Sequence, residues 1–241
     1  MIFNVDGTIP EYLKSNLLES LNLALRGYSS EDQLTERDTT DNPAFTALHF
    51  SYHSKYGTNG ASAPKDVHPY KMKNKHTKKT NHSQFLTRES NDMRDHPEHY
   101  RRICDALEPV LRWIVDKVNL FSDIELEVDI FPLQDTNPVR PFSSFVLNLN
   151  VMTQPHRDWG DKNGCIVLVL GEHLGGGIVF HEARVVVETS HADSVTFQSG
   201  RLTHYNLSYS GVRASVVIHS DKAGSEYQKN GNGWDDNQYV R

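Results

Sequence analysis

His156-Arg157-Asp158 sets an imidazole and a carboxylate two residues apart, and in extended chain that spacing turns both side chains to the same side. A second imidazole, His204, opens a later strand-like segment. Two histidines and one carboxylate on one face of a cation leave its remaining positions open, the arrangement of non-haem iron chemistry. His-x-Asp is weak on its own, because a chain with 13 histidines produces it readily by chance. Context strengthens it: Arg213 and Ser215 lie on the strand-like segment that follows His204. An arginine fork beside a hydroxyl is suited to grip a carboxylate, such as the distal one of 2-oxoglutarate. Other residues offer less. His181-Glu182 reads as a surface pair, since adjacent strand residues face opposite ways, and His173 and His191 sit in turn-like surroundings. Gly-x-Ser-x-Gly is missing, so hydrolase chemistry of that type has no support.

Elements must hold these groups in place. Ile9, Leu13, Leu17, Leu18, Leu21 and Leu25 recur at three- and four-residue spacing, which predicts an amphipathic helix over 9–25, stopped at Gly27. Asp95 is placed to cap a second helix with Pro97 in its first turn. In that helix Tyr100, Ile103, Leu107, Val110, Leu111, Ile114, Val115 and Val118 form one stripe for packing across a sheet. Residues 28–92 are polar without sustained periodicity and read as long loops, with short structured pieces such as 44–51. After Leu120 the spacing turns to two. Segments 124–131, 142–151, 165–170, 178–180, 184–188, 194–197, 204–207 and 214–219 are strand-like, with turn formers between them. Those turn formers include Asp161-Lys162-Asn163-Gly164 and Gly175-Gly176-Gly177, the latter a tight hairpin rather than a phosphate loop. Serial strands predict an α+β fold, a two-sheet jelly-roll (double-stranded β-helix) core or a related barrel, with N-terminal helices packed on its sheet. The expected division is 1–120 as a helical extension with a basic loop, within the same domain, and 121–241 as the core.

The chain has 241 residues, 37% hydrophobic and 23% charged, which suits a sizeable core and excludes wholesale disorder. No apolar run approaches the roughly 20 residues of a bilayer crossing, and the first residues lack a signal peptide's pattern. Neither a membrane partner nor export is expected. Only Cys104 and Cys165 are present, which provides no disulfide framework and fits a reducing compartment. A net charge of −6 excludes a surface coated uniformly for nucleic acid. Residues 65–82 nevertheless carry six lysines against the single acid Asp66. Such a segment suits a polyanion, because each lysine that neutralises a phosphate releases counterions. Lys71, Lys73, Lys75, Lys78 and Lys79 are the candidate nucleic-acid contacts, and a solvated loop is the ordinary alternative.

The stretches His156-Arg157-Asp158-Trp159-Gly160-Asp161-Lys162, Gly175-Gly176-Gly177-Ile178-Val179-Phe180, Leu202-Thr203-His204-Tyr205-Asn206 and Arg213-Ala214-Ser215-Val216-Val217-Ile218-His219-Ser220-Asp221 resemble the TET/JBP family. These are Fe(II)- and 2-oxoglutarate-dependent nucleic-acid oxygenases, and the closer resemblance is to fungal members associated with transposable elements. It runs from Thr153 to Trp234. The resemblance implies oxidation of the methyl group of 5-methylcytosine in DNA to 5-hydroxymethylcytosine, and onward to the formyl and carboxyl forms. Fe(II), 2-oxoglutarate and dioxygen are the implied cofactors, with ascorbate as an expected stimulant. His156, Asp158 and His204 match the family's iron ligands, and Arg213 and Ser215 its 2-oxoglutarate contacts. Asp161, Trp159, His219 and Arg157 become candidate substrate contacts, Arg157 as a contact to phosphate or a support behind the iron ligands, with an ordinary surface role as its alternative. Animal TET enzymes carry Asn where Asp161 stands, and an acceptor-only carboxylate suits the amino group of cytosine and of adenine alike.

A methyl inside a duplex cannot reach a buried iron, so the implied partner is methylated DNA with its target base flipped out. Trp159, Tyr205 and Phe180 are the aromatics available for stacking, and core packing competes for the last two. A monomer acting in the nucleus is expected. The large cysteine-rich zinc region of animal TET proteins is missing, as two cysteines cannot build it. The enzyme alternative is the same chemistry on N6-methyladenine, as demethylation, or on thymine, RNA or a protein side chain. Outside the enzymes it is a jelly-roll binding module, because that fold hosts many non-enzymes.

Overall fold

Alternation along the strand Asp161–Leu170 divides the core in two. Ile166, Leu168 and Leu170 join one buried cluster, while Cys165, Val167 and Val169 join another on the opposite face. A sheet covered on both sides follows from that pattern. The computed structural model describes residues 2–5, 9–27, 34–39, 46–53, 68, 70–80, 88–121 and 136–238. In chain order its elements are β1 (Ile2–Val5), α1 (Glu11–Lys14), α2 (Leu17–Ala24), β2 (Arg37–Asp38), β3 (Thr46–His53), β4 (Arg88–Glu89), α3 (Asn91–Asp95) and α4 (Pro97–Phe121). They continue with β5 (Ser144–Leu149), β6 (Asp161–Leu170), β7 (His173–Gly175), β8 (Ile178–Phe180), β9 (Val185–Val187), β10 (Ser194–Phe197), β11 (His204–Asn206), β12 (Tyr209–Gly211), β13 (Ala214–Asp221) and α5 (Ala223–Asn230). A 3-10 turn, Gly231–Asp236, follows α5.

The larger sheet has the order β1-β10-β6-β13-β5-β3-β4, and two three-stranded sheets, β11-β8-β9 and β2-β12-β7, make up the rest of the β structure among the described residues. All pairings are antiparallel. Helices α2 and α4 cover one face of the larger sheet: Leu17 and Leu21 with Ile103, Leu107, Val110, Leu111, Ile114 and Val115 bury against Phe50, Phe145, Leu147 and Val216. Each such side chain contributes about 1.5–3 kcal/mol. The expected α+β class, with helices packed on a jelly-roll sheet, is the architecture observed. The other face looks inward. Along β13, Ala214, Val216 and Ile218 point to the helices, leaving Ser215, Val217 and His219 inside.

Several expected elements differ. The helix predicted over 9–25 is two pieces, α1 and α2, separated at Ser15 and Asn16; short polar side chains compete with the backbone for its hydrogen bonds and weaken a helix interior. Asp95 ends α3 instead of capping α4, because Pro97 forces His96 out of helical geometry (φ −132°, ψ 55°) and starts a new helix. Within the polar stretch 28–92, β3 is a full strand of the larger sheet, two residues further along than the piece expected at 44–51. The strand expected over 124–131 lies outside the described residues.

Two turn assignments also change. Residues 161–164 belong to β6, where a Cβ on Gly164 would lie 2.3 Å from the Phe197 carbonyl oxygen, so close strand approach requires this glycine. Gly175-Gly176-Gly177 is no hairpin: β7 pairs with β12 and β8 with β11, so the run crosses between sheets with φ near +79° at Gly175 and +78° at Gly176. A Cβ at Gly176 would meet Arg213 Nε at 3.0 Å. Gly176→Ala is expected to cost about 1–2 kcal/mol from its positive φ, read as a lower urea midpoint, and to disturb the Arg213 side chain.

Candidate metal and carboxylate site

His156 and His204 lie opposite each other as an isolated antiparallel bridge, with His156 N–H donating to His204 O (3.1 Å) and His204 N–H to His156 O (3.0 Å). This pairing sets their rings 4.3 Å apart. Each Nδ1–H donates to a backbone carbonyl two residues earlier, His156 to Gln154 (2.7 Å) and His204 to Leu202 (3.0 Å). That fixes the tautomer, so both Nε2 lone pairs face the shared space. Asp158 completes the group, with Oδ2 3.4 Å from His204 Nε2 and Oδ1 3.9 Å from His156 Nε2. One ligand atom from each of the three residues falls within 4.8 Å of the others. Burial pushes the Asp158 carboxyl up, but with the rings protonated the His204 hydrogen bond and the charges of His204, His156 and His219 outweigh it and hold it below the ordinary range; a divalent cation would take the place of those protons. An ionised carboxylate with two neutral imidazoles fits a divalent cation such as Fe(II).

The segment carrying His156 is clipped in place. Asn206 Oδ1 accepts from Thr153 N–H and Thr153 Oγ1–H, both at 2.9 Å, and Thr153 Oγ1 accepts from Asn206 N–H at 3.1 Å. Asp158 N–H donates to Ser199 O at 3.1 Å. A cavity beneath the triad runs to Arg213 and Ser215 and is walled by Asn148, Val167, Phe197 and Tyr205 among others. Arg213 is 4% exposed, its guanidinium lies 5.7 Å from the Tyr209 ring centre, and its Nε has no hydrogen-bond partner among the described residues. Burial lowers its pKa to about 10. A buried cation with an orphaned donor calls for an anionic ligand. Ser215 Oγ, which accepts from Asn148 Nδ2 at 3.3 Å, supplies a hydroxyl beside it. The residues present therefore fit a metal-chelating keto acid whose far carboxylate reaches Arg213.

A larger cavity of about 710 Å³ opens on the other side of the triad, lined by His49, Asn148, Met152, Asp161, Val217 and His219 among others. The structure brings Asp161 and His219 to this wall. Asp161 is buried, with Oδ2 accepting from Ser199 Oγ at 2.6 Å, and desolvation raises its carboxyl above the usual range against the opposing charge of His219. Trp159 and Arg157 line neither cavity. Trp159 is 67% exposed with the Arg157 guanidinium 5.3 Å from its ring centre. Phe180 is fully buried against Phe197 at 4.8 Å and packs the core. Tyr205 lines the smaller cavity.

Sequence reading missed His49, Asn148 and Glu182. The first two are polar residues on the inward-facing side of strands whose opposite side is apolar, which was their available signal. Glu182 gave none, because its partners come from distant segments. Residues 70–80 of the lysine segment, the part described apart from His68, form a turn rather than a loose loop: Lys73 and Asn74 bridge to Thr80 and Asn237, and Lys75 pairs with Asp236 at 3.3 Å. Lys71, Lys78 and Lys79 are exposed, and Lys73 lies 5.3 Å from the Tyr70 ring centre. Among the described residues no helix is long and apolar enough to cross a membrane.

No protein-family model matches the sequence, and no curated protein matches it. Among solved structures, NgTET1 in complex with 5mC DNA is similar with a TM-score of 0.59 and 12% identity, over 92% of this chain and 73% of that one. A prolyl-4-hydroxylase of Pseudomonas putida gives a TM-score of 0.41 at 13% identity, over 92% of both chains. OsALKBH1 gives 0.42 at 9%, over 91% of this chain and 97% of that one. At such identities the first of these likenesses is one of fold, and the facing antiparallel sheets with helices on the outer face of the larger are a double-stranded β-helix.

Proposed function

We propose that this protein is an Fe(II)- and 2-oxoglutarate-dependent oxygenase that oxidises the methyl group of 5-methylcytosine in DNA. The observation that carries the reading is the convergence of His156, Asp158 and His204 at one end of a cavity whose other end holds the buried Arg213, its Nε unpartnered among the described residues. Bound iron with 2-oxoglutarate and dioxygen supplies the oxidising power needed to break a methyl C–H bond. The chain's own residues do the rest. His156, His204 and Asp158 hold the metal on one face, Arg213 and Ser215 orient the co-substrate, and Phe197 and Val167 keep the site dry. The larger cavity receives the flipped base. Asp161 gives one carboxylate oxygen to Ser199 and offers the other to an exocyclic amine, with His219 beside it. Trp159, exposed outside the cavity, suits DNA around the flipped nucleotide better than the target base itself.

Purified protein with Fe(II), 2-oxoglutarate and duplexes carrying 5-methylcytosine or N6-methyladenine tests this, with nucleosides and succinate quantified by mass spectrometry. Oxidised cytosine is the expected product. Activity on methyladenine alone would move the substrate to the other base with an amino group for Asp161. Succinate without altered base would leave the oxygenase and reject DNA, and neither product would leave a binding module.

Lys71, Lys78 and Lys79 are the proposed phosphate partners of the basic turn. Their joint replacement by glutamine is expected to weaken duplex binding and to reduce the slope of log K against log salt by about 0.9 for each phosphate no longer neutralised. Fluorescence anisotropy across a salt series reads both, and an unchanged affinity and slope would remove this turn from the DNA interface.

A further inference from the structure

The two ligand-bearing segments are tied together by a group that touches neither the metal site nor either cavity. Glu182 sits in the turn between β8 and β9, where His181 N–H donates to Thr203 O at 2.9 Å. Its Oε2 accepts from Thr203 N–H at 2.7 Å, and its Oε1 accepts from Thr203 Oγ1–H at 2.6 Å. Oε1 also accepts from Arg157 Nη2 at 2.5 Å, while Arg157 Nε–H donates to Thr203 Oγ1 at 2.9 Å. The hydrogen bonds of this three-residue ring run in one consistent sense: the threonine hydroxyl gives its one proton to Glu182 and receives the arginine's. Arg157 stands between His156 and Asp158, and Thr203 immediately precedes His204. The ring therefore joins the segment carrying two of the proposed ligands to the strand carrying the third, behind the face they present.

The geometry points to Glu182 as a positioning residue that holds the His156–Asp158 segment in register with His204 and so sets the affinity of the site for its divalent metal. This rests on the metal-site reading above and extends it to a residue outside the cavity. The backbone bridge between His156 and His204 and the Thr153–Asn206 clip join the two segments at and before His156, and Ser199 O holds Asp158 N–H, but none of these contacts ties the segments at Arg157. The Arg157–Glu182–Thr203 ring adds that attachment, between the two ligands of the first segment and next to the third. Glu182 stays ionised well below neutral pH, held down to about 2 chiefly by the Thr203 side-chain hydrogen bond, so the ring persists across physiological conditions. Arg157 is committed to this ring and to the face of Trp159, which makes it support behind the ligands instead of a contact to the base.

Mn(II) is the probe, and the free ion's electron paramagnetic resonance signal gives its Kd for the full chain without any turnover. Wild type, Glu182→Ala, Glu182→Gln and Thr203→Val are compared, with thermal melting of each metal-free protein. Loss of support behind metal ligands weakens binding by about 10–100-fold in known sites, and a Kd raised about tenfold is expected for Glu182→Ala. Glu182→Gln, which keeps an acceptor for Thr203 but loses the ion pair, is expected to lie between. Thr203→Val combined with Glu182→Ala should be no worse than the worse single change, since both open the same ring. An unchanged Kd in Glu182→Ala beside a wild type that binds Mn(II) overturns the inference and leaves the metal site standing. A metal-free melting point that falls in proportion to the affinity also overturns it, assigning Glu182 to general stability. A wild type that binds no Mn(II) overturns both readings.

Discussion

Replacing His204 by alanine is expected to reduce turnover to background and to weaken divalent metal binding by more than the roughly 100-fold seen when only supporting residues are lost. His204 is the buried member of the triad, 7% exposed, and its Nε2 is the one nearest Asp158 at 3.4 Å. Its ring packs 4.7 Å from Phe197 and its backbone carries both hydrogen bonds to His156. Alanine keeps those backbone bonds, so the fold should survive while one of the three donors disappears. Succinate formation and Mn(II) binding measured on the same preparation check this. Retained turnover would remove His204 from the triad; lost turnover with intact metal binding would make it a group acting on the substrate instead.

Arg213 is the second position where a large effect is expected, and its sign differs between binding and stability. Truncating one partner of a buried charge pair costs about 2–5 kcal/mol, which is roughly 30- to 4,000-fold in affinity. Arg213→Met should therefore raise the KM for 2-oxoglutarate by at least the lower figure. Arg213→Lys should fall between, because a lysine keeps the charge and loses the planar fork. Stability of the protein without co-substrate should move the other way or stay level. Burial lowers the arginine's pKa to about 10, below its unfolded value, so its charged form is disfavoured in the folded chain. That penalty is fully present below pH 10 and is relieved only as pH rises past it. Removing an uncompensated buried charge is neutral or stabilising, and each kcal/mol is worth about 2–4 °C in a chain of this size. Calorimetry with and without 2-oxoglutarate separates the two effects. A variant that binds 2-oxoglutarate normally would take Arg213 out of the co-substrate site, and one that melts far lower in its absence would make the guanidinium structural.

Much of the site was legible because its grammar is local. His156 and Asp158 are two residues apart, and Arg213 and Ser215 likewise, so extended backbone alone places each pair on one face. Period-two patterning marked β5, β6, β8, β10, β11 and β13, and the three-to-four spacing from Tyr100 to Val115 marked α4. Legibility failed where a local signal has two readings. Asp161-Lys162-Asn163-Gly164 has the composition of a turn, yet Gly164 serves a close strand crossing. Ser15 and Asn16 interrupt an otherwise regular stripe, and apolar spacing does not register that cost. β3 was obscured by the polar chain around it, although Leu48, Phe50 and Tyr52 alternate with Ala47, His49 and Ser51.

The sequence by itself determined the donor types, their pairing by twos, the α+β class and which face of each strand is apolar, since all of these depend on residues within a turn or two of one another. Tertiary structure decided which distant residues meet. It put His49 of β3 beside Val146 of β5 and Val217 of β13 in one row across the sheet, and so into the wall of the larger cavity. It closed Glu182 onto Arg157 and Thr203, occupied the arginine that looked free for substrate, and tied the lysine segment to the chain's C-terminal turn. Strand order and loop closure are set by the burial of the whole core, and no short stretch of chain encodes them.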